Sequence, residues 1–344
     1  MRSISALLLC FLFTGFALGQ NGGFSTYQFL NLPYSSRVAA FGGKMAASDV
    51  ADISLTLQNP AMLDSSLSNA MNLFYTSYYA KINFASVSYS LKLNSKGMLG
   101  ISVFGINYGQ FDQADESGVI SGTFSGSDFA LAVTYSYRID SCFSVGVSFK
   151  PIYSHLERYS SLGLASDIGA HYLSKNALFA AGVTLRNMGT MVKPYTADTY
   201  ERLPFEVVAG ISKKLAHAPF RFIATMQHLE RYDLYYSAPV NNINVLGDEG
   251  KSSPNLAERV GRELVSHLIA GVEFVPVKGF ALRLGYNYRR RNELKVQEKV
   301  STVGFSWGVN LRIKRFDVSY SRATYHLSGS TNHFSITSNI QSWL

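Results

Sequence analysis

The sequence predicts an all-β fold: an antiparallel transmembrane β-barrel of about 14 strands with a short N-terminal plug segment. Three observations carry that prediction. Long stretches alternate strictly between apolar and polar residues, the composition is aromatic-rich yet near-neutral in hydropathy, and the connections divide into short and long ones. Thr302–Arg312 shows the alternation best, with Val303, Phe305, Trp307, Val309 and Leu311 on one parity and Thr302, Gly304, Ser306, Gly308, Asn310 and Arg312 on the other. A period of two is a strand signal, because successive side chains point to opposite faces. A run of this length matches the roughly 9–11 residues that a tilted strand needs to cross a bilayer.

Composition narrows the class. Only 16% of the 344 residues are charged and the mean hydropathy is +0.05, while 13% are aromatic. Soluble enzymes carry more charge, about a quarter of residues, and helical membrane proteins are far more apolar. Strands that are half apolar and half polar reconcile the two values. The net charge of +8 is scattered without a dense Lys/Arg run, so no nucleic-acid footprint is expected. The two cysteines are Cys10 and Cys142. Cys10 falls in the expected leader, which leaves Cys142 without a disulfide partner.

Taken in order, Met1-Arg2, the apolar run Ala6–Phe13 and the small-residue site Ala17-Leu18-Gly19 predict a signal peptide over residues 1–19. Residues 20–68 are rich in small residues and do not alternate, as in Ser35–Gly43 and Ala46–Asp52. Gln58-Asn59-Pro60-Ala61 reads as a turn into a short helix. The segment also holds Phe29, Leu30, Leu32, Val38 and Phe41, too apolar for a solvated linker. It is expected to sit in the barrel mouth as a plug.

The barrel is expected over residues 69–344. Candidate strands fall at about 70–79, 82–92, 98–109, 127–138, 142–155, 161–173, 178–187, 203–215, 219–230, 264–276, 280–290, 299–312, 315–326 and 331–342. Phe129, Leu131, Val133, Tyr135 and Tyr137 share one face of the fourth, and Phe143, Val145, Val147 and Phe149 one face of the fifth. Phe280, Leu282, Leu284, Tyr286 and Tyr288 do so on the eleventh, opposite Arg283, Asn287 and Arg289. The apolar parity is expected to meet outer-membrane lipid.

Short connections at 94–97, 140–141, 174–176, 216–219, 277–279 and 314–315 alternate with longer ones at about 110–126, 188–202 and 231–263. Outer-membrane barrels have short periplasmic turns and longer outside loops, so the chain is expected to be integral to the outer membrane of a Gram-negative bacterium. The 231–263 connection, with Tyr235, Tyr236, Val245, Asp248, Glu249 and Lys251, has the apolar and polar mixture of a docking loop. Tyr75, Tyr78 and Tyr79 lie near strand ends, where aromatic girdles form, and Trp343 is penultimate.

No phosphate-binding glycine loop, His-Glu-x-x-His or Cys-x-x-Cys pair is present. The best catalytic candidate is Asp167 with His171, which share the lumen-facing parity of the sixth strand, opposite Leu164, Ile168, Ala170 and Tyr172. A polar lumen network with Lys150, Arg186, Glu206, Arg221, Glu273 and Arg283 accounts for them better. Buried charges need partners or cost several kcal/mol each. No catalytic, cofactor or metal site is therefore assigned, and the chain is expected not to be an enzyme.

Phe24–Gly43, Gln58–Ala61, Ile106–Asp112, Gly122–Asp128, Ser144–Tyr153, Leu203–Glu206, Ile211–Phe222 and Asn332–Ile336 together resemble the PorQ family of type IX secretion outer-membrane barrels. The small-residue stretch with Asn59-Pro60-Ala61 is shared more widely, with PorV and with barrels similar to the long-chain fatty-acid transporter. The resemblance implies a fourteen-stranded barrel with an N-terminal plug. It also implies membership of the attachment complex that anchors secreted cargo, where the barrel holds the surface protein PorZ beside PorV and PorU. The rival expectation is a channel for hydrophobic or small solutes, and an open or gated lumen is what would distinguish it.

Overall fold

The computed structural model describes residues 25–197, 199–231, 234, 256–294, 302–326 and 329–340. The predicted leader, most of the 231–263 connection with Tyr235, Tyr236, Val245, Asp248, Glu249 and Lys251, and Trp343 lie outside the described residues.

Fourteen strands close into one antiparallel barrel. In chain order they are β1 (Ala70–Ser77), β2 (Asn83–Lys92), β3 (Gly97–Ala114), β4 (Ile120–Arg138), β5 (Phe143–Leu156), β6 (Tyr159–Leu173) and β7 (Phe179–Lys193). Then follow β8 (Glu206–Lys214), β9 (Phe220–Met226), β10 (Leu268–Val277), β11 (Phe280–Asn287), β12 (Phe305–Ile313), β13 (Phe316–His326) and β14 (Gly329–Asn339). Each strand pairs with its chain neighbours, and β1 closes on β14 from Ala70–Asn339 to Ser77–Asn332. Closure leaves no sheet edge in the hydrocarbon layer, where an unpaired backbone group is costly.

Alternation gives the barrel its two faces. On β5, Val145, Val147 and Phe149 are exposed on the outside, while Ser148, Lys150 and Ser154 are buried inside. The outward band continues around the sheet through Val103, Phe129, Ile168, Phe222, Leu284, Trp307 and Phe334.

The six connections predicted to be short fall at one end, together with the start of β1 and the end of β14, while β5 and β6 are joined as tightly, through Glu157 and Arg158, at the other. The chemistry of the six explains their tightness. Asn94 Oδ1 accepts from the amides of Lys96 and Gly97 at 3.0 and 2.7 Å. Asp140 Oδ1 accepts from those of Cys142 and Phe143 at 2.7 and 2.8 Å, turns built on a side-chain acceptor. Those two amides hold the Asp140 carboxyl below the ordinary range.

Several predicted boundaries move. The stretch expected as a loop at 110–126 is mostly strand, because β3 and β4 run on to Ala114 and Ile120. The loop expected from residue 188 begins after Lys193, where β7 ends. The ninth strand stops at Met226, where His228 takes a left-handed conformation (φ 54°). The stretch before Leu268 is a helix, Leu256–Ser266, and the end expected for the eleventh strand is another, Tyr288–Leu294. The twelfth strand begins only at Phe305. Gly304 (φ +87°) breaks the alternation, and Val303 turns inward and is fully buried.

Candidate functional site

Residues 25–67 run down the inside of the barrel from the long-loop end to the short-turn end. Ser25 bridges Arg202, and Thr26 N donates to Arg202 O at 3.0 Å. At the other end Asp64 pairs with Arg138, and Leu67 O accepts from Ser90 Oγ. Between them the segment makes short turns, and from Ser35 onward each is started by a side-chain cap. Ser35 Oγ accepts from Val38 N (3.2 Å), Asp52 from Ser54 N (3.0 Å) and Asn59 from Ala61 N (3.0 Å). Pro60 follows Asn59 as the first residue of its turn, where its missing N–H costs nothing.

Three apolar clusters seat the segment. Tyr27, Phe29, Leu30 and Tyr34 pack on Phe74, Phe84, Phe104 and Ile152. Val38, Phe41, Met45, Leu55 and Met62 gather on Ile223, and Ile53, Leu63 and Leu67 on Met98. Glycines on the inner face let the backbones approach. A Cβ at Gly169 would overlap the Asn59 side chain, and one at Gly285 would overlap Ala40 O.

Four charged residues lie between positions 25 and 63: Arg37, Lys44, Asp49 and Asp52. Each meets an inward charge of the barrel or of the segment itself. Arg37 Nη2 donates to Glu273 Oε1 at 2.9 Å, and its Nη1 lies 3.3 Å from Asp52 Oδ2. Glu273 also receives Arg283 Nε at 2.8 Å and the Arg221 guanidinium, whose Nε sits 2.7 Å from Asp49 Oδ1. Lys44 Nζ pairs with Glu206, which Arg186 approaches at 3.5 Å while donating to Leu30 O at 3.1 Å.

The predicted pair Asp167 and His171 both face inward and are buried, but the structure gives them separate partners. Asp167 Oδ1 lies 2.6 Å from Lys150 Nζ and accepts from Asn187 N at 2.7 Å. His171 Nε2 lies 3.0 Å from Ser48 O, a backbone carbonyl of the lumen segment. Lys150, Arg186, Glu206, Arg221, Glu273 and Arg283 all join ion pairs in the lumen. Sequence reasoning missed their counterparts Arg37, Lys44, Asp49 and Asp52. The signal was present, since these are lone charges in a small-residue stretch. Among the described residues, no group of three or more His, Cys, Asp or Glu side chains gathers to hold a metal.

At the short-turn end a cavity of about 340 Å³ remains between the segment and the β2–β3 and β4–β5 turns, lined in part by Ser48, Met62, Met98, Phe143 and His171. The lumen above it is crossed by the clusters and ion pairs just described.

No family model and no curated protein matches the chain. Solved structures do. The Pseudomonas putida toluene transporter TodX is 12% identical and superposes with a TM-score of 0.52, over 89% of this chain and 96% of that one. A second structure of the P. putida toluene transporter TodX, also 12% identical, gives 0.51 over 90% and 99%. The deltaS2 mutant of the TodX monoaromatic hydrocarbon channel, again at 12% identity, gives 0.51 over 89% and 97%. Such low identity carries the architecture alone: the chain has the closed fourteen-stranded fold of an integral outer-membrane barrel, similar to that of TodX.

Proposed function

We propose that the chain is a closed outer-membrane barrel that docks a PorZ-like surface protein, beside PorV and PorU, in the type IX attachment complex that anchors secreted cargo. The sequence resemblance supports this reading. The observation that carries it is the lumen, stitched shut by Arg37, Lys44, Asp49 and Asp52 against Glu206, Arg221 and Glu273. A conducting pore needs a continuous passage, and opening one here would separate several buried ion pairs at once. A docking barrel needs no passage.

The fold comparison favours a second reading, and does so more directly than it favours docking: a channel for hydrophobic or small solutes. The structures it resembles are described as a toluene transporter and a monoaromatic hydrocarbon channel. On that reading residues 25–68 form a gate. One paired experiment separates the two. Barrel extracted in mild detergent is probed for a co-eluting surface protein of the complex, and purified barrel in lipid vesicles is assayed for toluene uptake. The docking reading expects co-elution and uptake no faster than in empty vesicles. Rapid uptake without co-elution establishes the channel instead.

A further inference from the structure

The β3–β4 hairpin rises past its neighbours. β2 pairs with β3 only as far as Asn107, and β5 with β4 only as far as Gly126. β3 and β4 go on pairing with each other from Gly109–Gly126 to Ala114–Ile120. At about 3.3 Å per residue, the extension continues for roughly 20 Å along the strands beyond the rim at the long-loop end. Residues 120–125 of β4 have β3 on one side and, among the described residues, no strand on the other. Glu157 N donates to Ser125 O at 3.0 Å. The Ser125 carbonyl therefore faces away from β3, and by alternation the N–H and C=O of Thr123 face the open edge, up to the register shift at Ser121 where alternation stops.

Natural sheets blunt such edges with lysine, proline, inward charge or a bulge. Ile120-Ser-Gly-Thr-Phe-Ser125 has no lysine, proline or charge, and its register shift, at Ser121, leaves Gly122–Ser125 regular. Alongside it lies a recess of about 370 Å³ lined by Gln110, Gln113, Thr123, Phe124, Glu157 and Arg158. Phe111 and Phe124 stack at 5.3 Å, and Val119 and Ile120 at the tip are 60% and 61% exposed. The charge here runs against that of the chain. Asp112, Asp115, Glu116 and Glu157 are exposed on the hairpin and beside it, against Arg158 and, at the hairpin's foot, Lys81, on a protein whose net charge is +8.

We propose that the β3–β4 hairpin is a docking edge, which takes up a basic, extended segment of a surface protein as an added strand along Gly122–Ser125. The proposal deepens the docking reading and rests on it. Main-chain bonds to Thr123 supply affinity, and the recess and the Phe111–Phe124 stack receive alternate side chains of the incoming strand. The carboxylates select a cationic partner and reject a second copy of this hairpin, which would bring like charges together.

The test uses purified full-length barrel and a fluorescent decapeptide of alternating Lys and Val, with alternating Glu and Val as control. Thr123→Pro removes an edge N–H without touching the pairing with β3; Thr123→Val keeps that N–H and removes only the hydroxyl. The expected result is that Thr123→Pro weakens binding of the Lys–Val peptide by about tenfold or more while Thr123→Val does not. The Glu–Val peptide should bind at least as weakly to wild type. Equal binding by Thr123→Pro and wild type, or no binding to wild type, overturns the proposal. A separate arm compares cargo anchoring in cells lacking the barrel. Anchoring that survives loss of the whole barrel sinks the docking reading itself. Anchoring lost with the barrel but intact in Thr123→Pro cells sinks only this edge.

Discussion

Glu273 is the meeting point of three guanidinium groups, those of Arg37, Arg221 and Arg283, inside a sheet that excludes water from it. Arg37 comes from the lumen segment and the other two from neighbouring strands, so one carboxylate ties segment to wall. Removing its charge leaves three buried cations with, among the described residues, Asp49 and Asp52 as their remaining ion-pair partners. Breaking a buried pair in this way costs about 3–5 kcal/mol. Glu273→Gln should therefore lower the temperature at which the folded form converts to the unfolded one in unheated-versus-heated gel samples. Glu293→Gln breaks the exposed pair with Arg289 and should shift that temperature little, since such pairs are worth about 0–1 kcal/mol. Equal shifts would mean that the lumen pairs do not hold the barrel together. At this scale the sequence was half legible. The inward parity named Glu273, Arg221 and Arg283 as members of a network, but nothing in it linked them to Arg37, 236 positions away from Glu273.

Among the elements, the lumen segment depends on the wall for its shape. Its turns are a few residues long, far below the length at which helices persist alone. Its caps give it local geometry, and the glycine-lined inner face gives it room. Gly169→Val places its side chain onto Asn59, whose Nδ2 donates to Ala46 O at 2.8 Å. Overpacking of this kind costs about 1–3 kcal/mol. The variant should expose the segment to trypsin at Arg37 and Lys44 while strand content by circular dichroism is kept. Ala170→Val, one residue on and facing outward, should leave trypsin resistance unchanged. Protection of Arg37 and Lys44 in Gly169→Val would contradict the close approach of segment and wall. The glycines were visible in the sequence, but as polar-parity residues among many. Which ones face the segment depends on where it crosses each strand.

At the scale of the whole molecule the topology sets sidedness. The tip of the β3–β4 hairpin and Ser25 share one end, and the six turns predicted to be short occupy the other. In a Cys142→Ser background, Ser25→Cys and Ser117→Cys should react with a membrane-impermeant maleimide on intact cells, and Lys175→Cys only after permeabilisation. The reverse pattern would invert the assigned orientation. Alternation over fourteen runs, the tight turns and the composition were enough to read an antiparallel outer-membrane barrel from the sequence, because side-chain direction and turn chemistry are local properties of a chain. Three things needed the closed structure: the depth to which residues 25–67 descend, the partners of Arg37 and Lys44, and the hairpin that outgrows its neighbours. Each depends on register between strands and on how the segment crosses them, and register is settled only when all the strands pair at once.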